Sequence, residues 1–232
     1  MRRAAVRWTS RSAARCFLMR CWMTRALPLL LVLGCEPDGG SLSVAQARLQ
    51  EDGTTARIDG YVTAVPGTFE SATGDPGFVM QDGTGGIYVQ LSERLALPMD
   101  GRVRVTGTLA DVAGFRVLQS TAANVVELPG TRSIAPVDVR TGDVGEATEG
   151  SLIRVEAAVT QVFQDDSPYG YKLYLNDGSG EVQLFVHVSA GVDANDLRAL
   201  TVGQTLRATG ISAQYATTFE VAPRRPSDIV PR

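Results

Sequence analysis

Histidine occurs once in the 232 residues, at His187, and cysteine three times, at Cys16, Cys21 and Cys35, all within the first 35 positions. The remainder of the chain therefore has no thiol pair for a disulfide and no thiolate for a structural zinc site. A Ser-His-Asp triad would have to be built on His187, and the alternating segment around it supplies no evident orienting carboxylate. Asp82-Gly83-Thr84-Gly85-Gly86 has the glycines of a phosphate-binding loop but no following lysine. Asn176-Asp177-Gly178-Ser179-Gly180-Glu181 has a calcium-like composition but lacks the spaced carboxylates and distal glutamate of a calcium loop. These absences point to a chain with no catalytic residues, no metal and no cofactor, and so to a non-enzymatic protein.

Acidic residues are missing from the first 34 positions, which carry seven of the 22 basic residues. The rest of the chain then sets 15 basic residues against 25 acidic ones, a net charge of −10. An acidic body repels polyphosphate at long range and disfavours sequence-blind nucleic-acid affinity by counterion release.

After Arg25 comes the apolar run Ala26-Leu27-Pro28-Leu29-Leu30-Leu31-Val32-Leu33-Gly34, too short for a permanent membrane span and laid out as a secretory signal. Val32-Leu33-Gly34-Cys35 resembles the bacterial lipobox, and the resemblance implies that Cys35 is acylated and becomes the mature N-terminus. Glu36, where an aspartate tends to retain such lipoproteins at the inner membrane, implies the outer membrane. The expected location is thus the cell envelope, with lipid attachment at Cys35. The polar, Gly-containing stretch from Glu36 to Ser41 reads as a flexible tether.

What the chain does contain is a duplication. Gln81-Asp82-Gly83-Thr84-Gly85-Gly86-Ile87 is answered 95 residues later by Asn176-Asp177-Gly178-Ser179-Gly180-Glu181-Val182. Arg57-Ile58-Asp59 and Arg104-Val105-Thr106-Gly107 are answered by Arg154-Val155-Glu156 and Arg207-Ala208-Thr209-Gly210. A period near 100 residues is domain-sized. Ser43 and Gln46 fit a capping box that opens a brief helix to about Gln50. Period-two alternation then marks strands at residues 57–65, 78–81, 87–91, 102–110, 114–118 and 124–128, and again at 153–161, 171–176, 182–188, 205–212, 219–222 and 228–230. Five or six strands per copy suit a small closed Greek-key barrel.

Ser43-Val44-Ala45-Gln46-Ala47-Arg48, the Gln81 to Ile87 turn and Arg102-Val103-Arg104-Val105-Thr106-Gly107-Thr108 together resemble the OB-fold domains of bacterial exported proteins, often found beside extracellular nuclease, phosphatase or lamin-tail modules. The expected organisation is a signal peptide at residues 1–34, a tether at 35–42, one OB barrel at 43–128, a linker at 129–149 and a second barrel at 150–232, an all-β protein.

In OB barrels the middle strands carry the ligand. In the second copy, alternation directs Leu173, Leu175, Leu184, Val186 and Val188 inward and leaves Lys172, Tyr174, Gln183, Phe185 and His187 outward, with Arg154 and Arg207 on neighbouring strands. In the first copy the outward set is Val79, Tyr88 and Gln90, with Tyr61, Arg57, Arg102 and Arg104 nearby. Aromatics beside cations suit base or sugar stacking, and the second barrel carries the richer set. The competing reading is that these side chains pair across strands or pack the two barrels together. Arg224-Arg225, between two prolines, is expected to face water. The resemblance implies an oligomeric ligand, single-stranded nucleic acid by convention. The other partners considered are an oligosaccharide or an envelope protein recognised by an adaptor, or service as an accessory to a separate nuclease or phosphatase.

Overall fold

A computed structural model describes residues 40–69 and 75–232. The signal segment and Cys35 lie outside these residues. The chain opens with α1 (Val44–Arg48), closed at its N-terminus by the expected capping box: Ser43 Oγ accepts from the Gln46 amide and Gln46 Oε1 accepts from the Ser43 amide. Strands β1 (Thr55–Ala64), β2 (Phe78–Gln81), β3 (Gly86–Leu91), β4 (Gly101–Val112) and β5 (Phe115–Ser120) follow, and β6 (Val125–Thr131) runs along β4. β1 pairs with both β2 and β4, β2 with β3, and β5 with β4, while β3 and β5 run parallel. This closes a five-stranded barrel. Alternation drives the closure: Ile58, Val62, Val103 and Val105 are fully buried, whereas Arg57, Asp59, Arg102 and Arg104 between them stay half-buried.

The second half repeats the plan. After β7 (Val137–Asp138) come β8 (Leu152–Val159), β9 (Gln164–Asp166), β10 (Gly170–Asn176), β11 (Glu181–His187), α2 (Ala194–Arg198), β12 (Thr205–Tyr215), β13 (Thr218–Ala222) and β14 (Ile229–Pro231). β8 pairs with β10 and β12, β10 with β11, β12 with β13, and β11 runs parallel to β13. Two closed five-stranded barrels of the OB plan make up the described chain, each around its own apolar interior.

The duplicated turns are structural. Asp82 Oδ1 accepts from the Thr84 and Gly85 amides, and Asp177 Oδ1 from the Ser179 amide, closing the two hairpins. Their second oxygens do the same job in both copies: Asp82 Oδ2 accepts from the Val44 amide, and Asp177 Oδ2 from the Thr141 amide. Residues 129–149, read from the sequence as the linker, carry structure of their own. β7 pairs parallel with β8, Thr141 docks on the second hairpin, and Val144 is buried in the second core. Three other differences are local. α2 and β9 lie where no element was expected, the latter forming a hairpin with β10, and Val188, expected in the core, falls after the end of β11 and is 45% exposed.

The two barrels meet through a third apolar cluster. Ala64, Phe69, Val79, Tyr88 and Val117 of the first pack with Leu152, Ile211, Ala213 and Ala222 of the second. Polar contacts close its margins. The Leu152 amide donates to Gln81 Oε1 at 3.0 Å, Arg224 Nη1 to the Thr63 carbonyl at 2.8 Å and Ser189 Oγ to the Thr68 carbonyl at 2.8 Å. The fully buried Glu149 carboxylate accepts from Arg48 at 2.8 Å and from the Arg116 amide at 3.1 Å. Arg224, expected in water, is instead buried, locked to Asp228 and to the first barrel.

At Gly86 and Gly150 the two backbones approach so closely that a Cβ on either would collide with the other's carbonyl. Only glycine allows that approach. Gly86→Ala is expected to lower stability by about 2 kcal/mol or more through overpacking of backbone on backbone. Urea unfolding of the variant measures it; an unchanged midpoint would show that the seam is not this tight.

Candidate functional site

The structure divides the expected ligand residues into two groups. Lys172, Tyr174, Gln183, Phe185 and His187 come together on the outer side of β10 and β11, with Lys172 opposite Phe185 and Tyr174 opposite Gln183. Their direction agrees with alternation, but their environment does not match an open ligand face. Gln183, Phe185 and His187 are each only 9% exposed. Tyr88, the corresponding aromatic of the first barrel, is 6% exposed within the seam, packed on Phe115. The physical reason is that each outward face around these strands is covered in part by the other barrel.

Within the β10–β11 group a polar chain runs inward. Tyr174 Oη donates to Gln183 Oε1 at 3.2 Å, and Gln183 Nε2 donates to Glu220 Oε2 at 2.9 Å. Lys172 pairs with Asp166 at 2.9 Å and stands 5.9 Å from the Phe185 ring centre. His187 lies edge-on to Phe185 at 4.8 Å and to Phe69 at 5.3 Å. Burial pushes the His187 imidazole down to about 4 and the Glu220 carboxyl up to about 7.

Tyr61, Arg104, Arg154 and Arg207 lie elsewhere, on the walls formed by the first and fourth strands of each barrel. Asp59 faces Arg104, which faces Val126, across β1, β4 and β6; Glu156 faces Arg207, which faces Val230, across β8, β12 and β14. The two walls differ in charge. In the second, Arg154 is held by Asp138 at 2.6 Å and Arg207 by Glu156 at 2.9 Å, around a cleft of about 350 Å³ in which two cations meet two anions.

In the first, Arg102 and Arg104 converge on one carboxylate, Asp59, with the Arg132 guanidinium 6.0 Å from the Tyr61 ring centre. Asp59 takes a forked pair from Arg104 at 2.7 and 2.8 Å and a longer bond from Arg102 at 3.3 Å, and the Arg104 hydrogen bonds hold its carboxyl below the usual range. Val126, 52% exposed, and the half-buried Leu128 extend the wall with apolar surface. Sequence reasoning named Tyr61 and Arg104 but missed Arg132, which reaches the wall from the segment after β6. It also missed Glu220, whose burial depends on the packing around β13. Among the described residues, no group of three or more His, Cys, Asp and Glu side chains is placed to hold a metal ion.

Comparison with known proteins adds one relative in sequence. The chain is 25% identical over 199 residues to endonuclease YhcR of Bacillus subtilis (strain 168), a match that takes in 82% of this chain and 16% of that protein. The chain thus spans about a sixth of the length of the curated relative it matches. This overturns the expectation of a chain set apart from enzymes, since its relative in sequence is one. No family model matches the chain. Among solved structures it is similar to a murine DNA-binding protein bound with double-stranded DNA, at 11% identity and a TM-score of 0.41, covering 76% of this chain and 96% of that one. It is also similar to a single-stranded DNA-binding protein of Thermus aquaticus, at 14% identity and a TM-score of 0.28, covering 78% and 95%. At those scores neither likeness carries an argument, and the two-barrel fold stands on its strand pairing.

Glu220 and His187 give opposite pH signatures. Glu220 keeps its proton in the folded state up to about pH 7, whereas an unfolded glutamate releases it near 4.3. Its contribution is full at acid pH and is lost as pH rises through 7. His187, depressed to about 4, contributes fully above its unfolded value of about 6.5 and loses that contribution as pH falls through 4. Glu220→Gln is therefore expected to stabilise the protein at pH 8 relative to wild type, by at most about 4 kcal/mol, with the gain shrinking toward pH 5. Thermal unfolding at the two pH values measures it, and an equal effect at both would contradict the buried carboxyl.

Proposed function

We propose that the fused barrels bind nucleic acid on the arginine wall of the first barrel and serve as the binding part of a nuclease system. The observation that carries this reading is the wall itself: Arg102 and Arg104 on Asp59, with Arg132 beside the Tyr61 ring, in a chain whose body is otherwise acidic. Arginines fork onto phosphate oxygens, and a tyrosine ring offers a stacking surface. The endonuclease relative supports the same substrate class. With the second wall neutralised pair by pair and the β10–β11 face covered, the first barrel takes the role that alternation alone had given to the second.

The acidic surroundings make the expected binding local and strongly salt-dependent. Titration of a labelled single-stranded oligonucleotide against salt tests it. Affinity should fall steeply as salt rises, with a slope of about 0.7 per phosphate contact, and Arg102→Ala combined with Arg104→Ala should flatten that slope and weaken low-salt binding about tenfold or more. A salt-independent affinity, or one indifferent to both substitutions, would instead favour an uncharged glycan.

The reading also places the barrels on the cell envelope through an acylated Cys35, supported by the signal-like segment and the lipobox-like run before it. Cys35→Ser should abolish incorporation of labelled palmitate and release the protein from the membrane fraction. Retention of label would contradict the anchor.

A further inference from the structure

The chain enters the fold on the arginine wall. The Leu42 amide donates to the Arg57 carbonyl at 2.8 Å, and Ser41 Oγ donates to Asp59 Oδ1 at 2.7 Å. Entry therefore runs along β1, beside the carboxylate that holds Arg102 and Arg104. Between Cys35 and Gly40 the sequence has only Glu36, Pro37, Asp38 and Gly39. An extended chain reaches about 3.6 Å per residue at most, so a lipid on Cys35 keeps Gly40 within about 18 Å of the bilayer surface.

The second copy shows how this entry differs from its counterpart. There the Val139 amide donates to the Arg154 carbonyl at 3.0 Å, as Leu42 does to Arg57, and the residue before Val139 is Asp138, whose two oxygens accept from Arg154. In the first copy the corresponding residue is Ser41. A carboxylate at that position would be repelled by an anionic bilayer, and a hydroxyl is not. Around the entry the wall presents cations with an apolar flank. Arg102 and Arg104 are 42% and 41% exposed, Arg132 is exposed beside Tyr61, and Val126, opposite Arg104, is 52% exposed. Glu127, the acid of β6, pairs with Val103 and so stands on the other side of the sheet. Guanidinium groups fork onto phosphate oxygens, and each basic residue close to an anionic bilayer adds to the attraction. A basic patch beside an acyl anchor strengthens its hold.

Resting on the acylated Cys35 and the phosphate-binding wall proposed above, we infer that this wall is the face the protein turns to the bilayer. Arg102, Arg104 and Arg132 there take the phosphates of anionic lipid headgroups. Lipid and nucleic acid then use the same guanidinium groups in turn, and a strand reaches the wall by displacing lipid.

The test is sedimentation of the full chain with vesicles of phosphatidylglycerol or of phosphatidylcholine at low salt. Arg102→Ala combined with Arg104→Ala is expected to weaken partition into phosphatidylglycerol vesicles about tenfold and to leave partition into phosphatidylcholine unchanged. Arg154→Ala combined with Arg207→Ala removes the same charge from the second wall and should change neither. Arg102→Gln with Arg104→Gln, which keeps polar side chains on the wall, takes the place of the alanine pair should that pair compromise folding. Equal effects of the first-wall and second-wall pairs, or no effect of either, would overturn the bilayer contact. Titration of the same proteins with a labelled oligonucleotide separates this inference from the reading on which it rests. Oligonucleotide binding by wild type without wall-dependent vesicle partition would overturn the bilayer contact alone. Wall-dependent partition with no oligonucleotide bound would uphold the contact and overturn the nucleic-acid reading.

Discussion

The packing of one barrel's outer face against the other is the constraint on which the remaining features depend. A closed barrel buries its interior by itself, so its outer surface is normally the surface available to partners. Here Val79, Tyr88 and Val117 on the first barrel, with Ile211, Ala213 and Ala222 on the second, are as deeply buried as interior residues. The valine and isoleucine side chains among them contribute about 1.5–3 kcal/mol each when taken from water. The seam also explains why Glu149 and Arg224 are buried with partners: each lies at the junction and joins one barrel to the other.

That constraint redistributes the functional surface. Tyr88, attractive as a stacking residue when its barrel is considered alone, loses its exposure in the seam, and Phe185 is buried beside His187. The walls formed by the first and fourth strands keep theirs. The duplication places an arginine facing an acid on both; outside the repeated strands, β7 brings Asp138 to Arg154 on the second wall, and the segment after β6 brings Arg132 to Tyr61 on the first. The relative in sequence is an endonuclease, whereas the single histidine had pointed away from enzymes.

Much of the fold was legible because its signals are local. Alternation over residues 57–65 and 102–110 locates strands to within two residues of their observed ends, and Ser43 with Gln46 marks α1 through a reciprocal pair four positions wide. The elements that escaped are those without a period of their own. α2 is five residues long and buries only Leu197, β7 is two residues held by its neighbour, and β9 is three residues of polar sequence. The candidate site was legible in direction and not in exposure. Alternation states which side of the sheet His187 occupies, but nothing in the strand reveals that Phe69, 118 positions earlier, lies on it. Coverage by a distant segment is a tertiary fact that no periodicity encodes.

The most direct measurement of the seam is amide hydrogen exchange at Leu152, whose N–H belongs to the second barrel and donates to Gln81 of the first. If the barrels are locked as one body, that proton should exchange only through global unfolding, with the same free energy as the amide of Val105 deep in the first barrel's sheet. Fast exchange at Leu152 while the core amides of both barrels stay protected would show that the barrels part without unfolding, and would contradict the account.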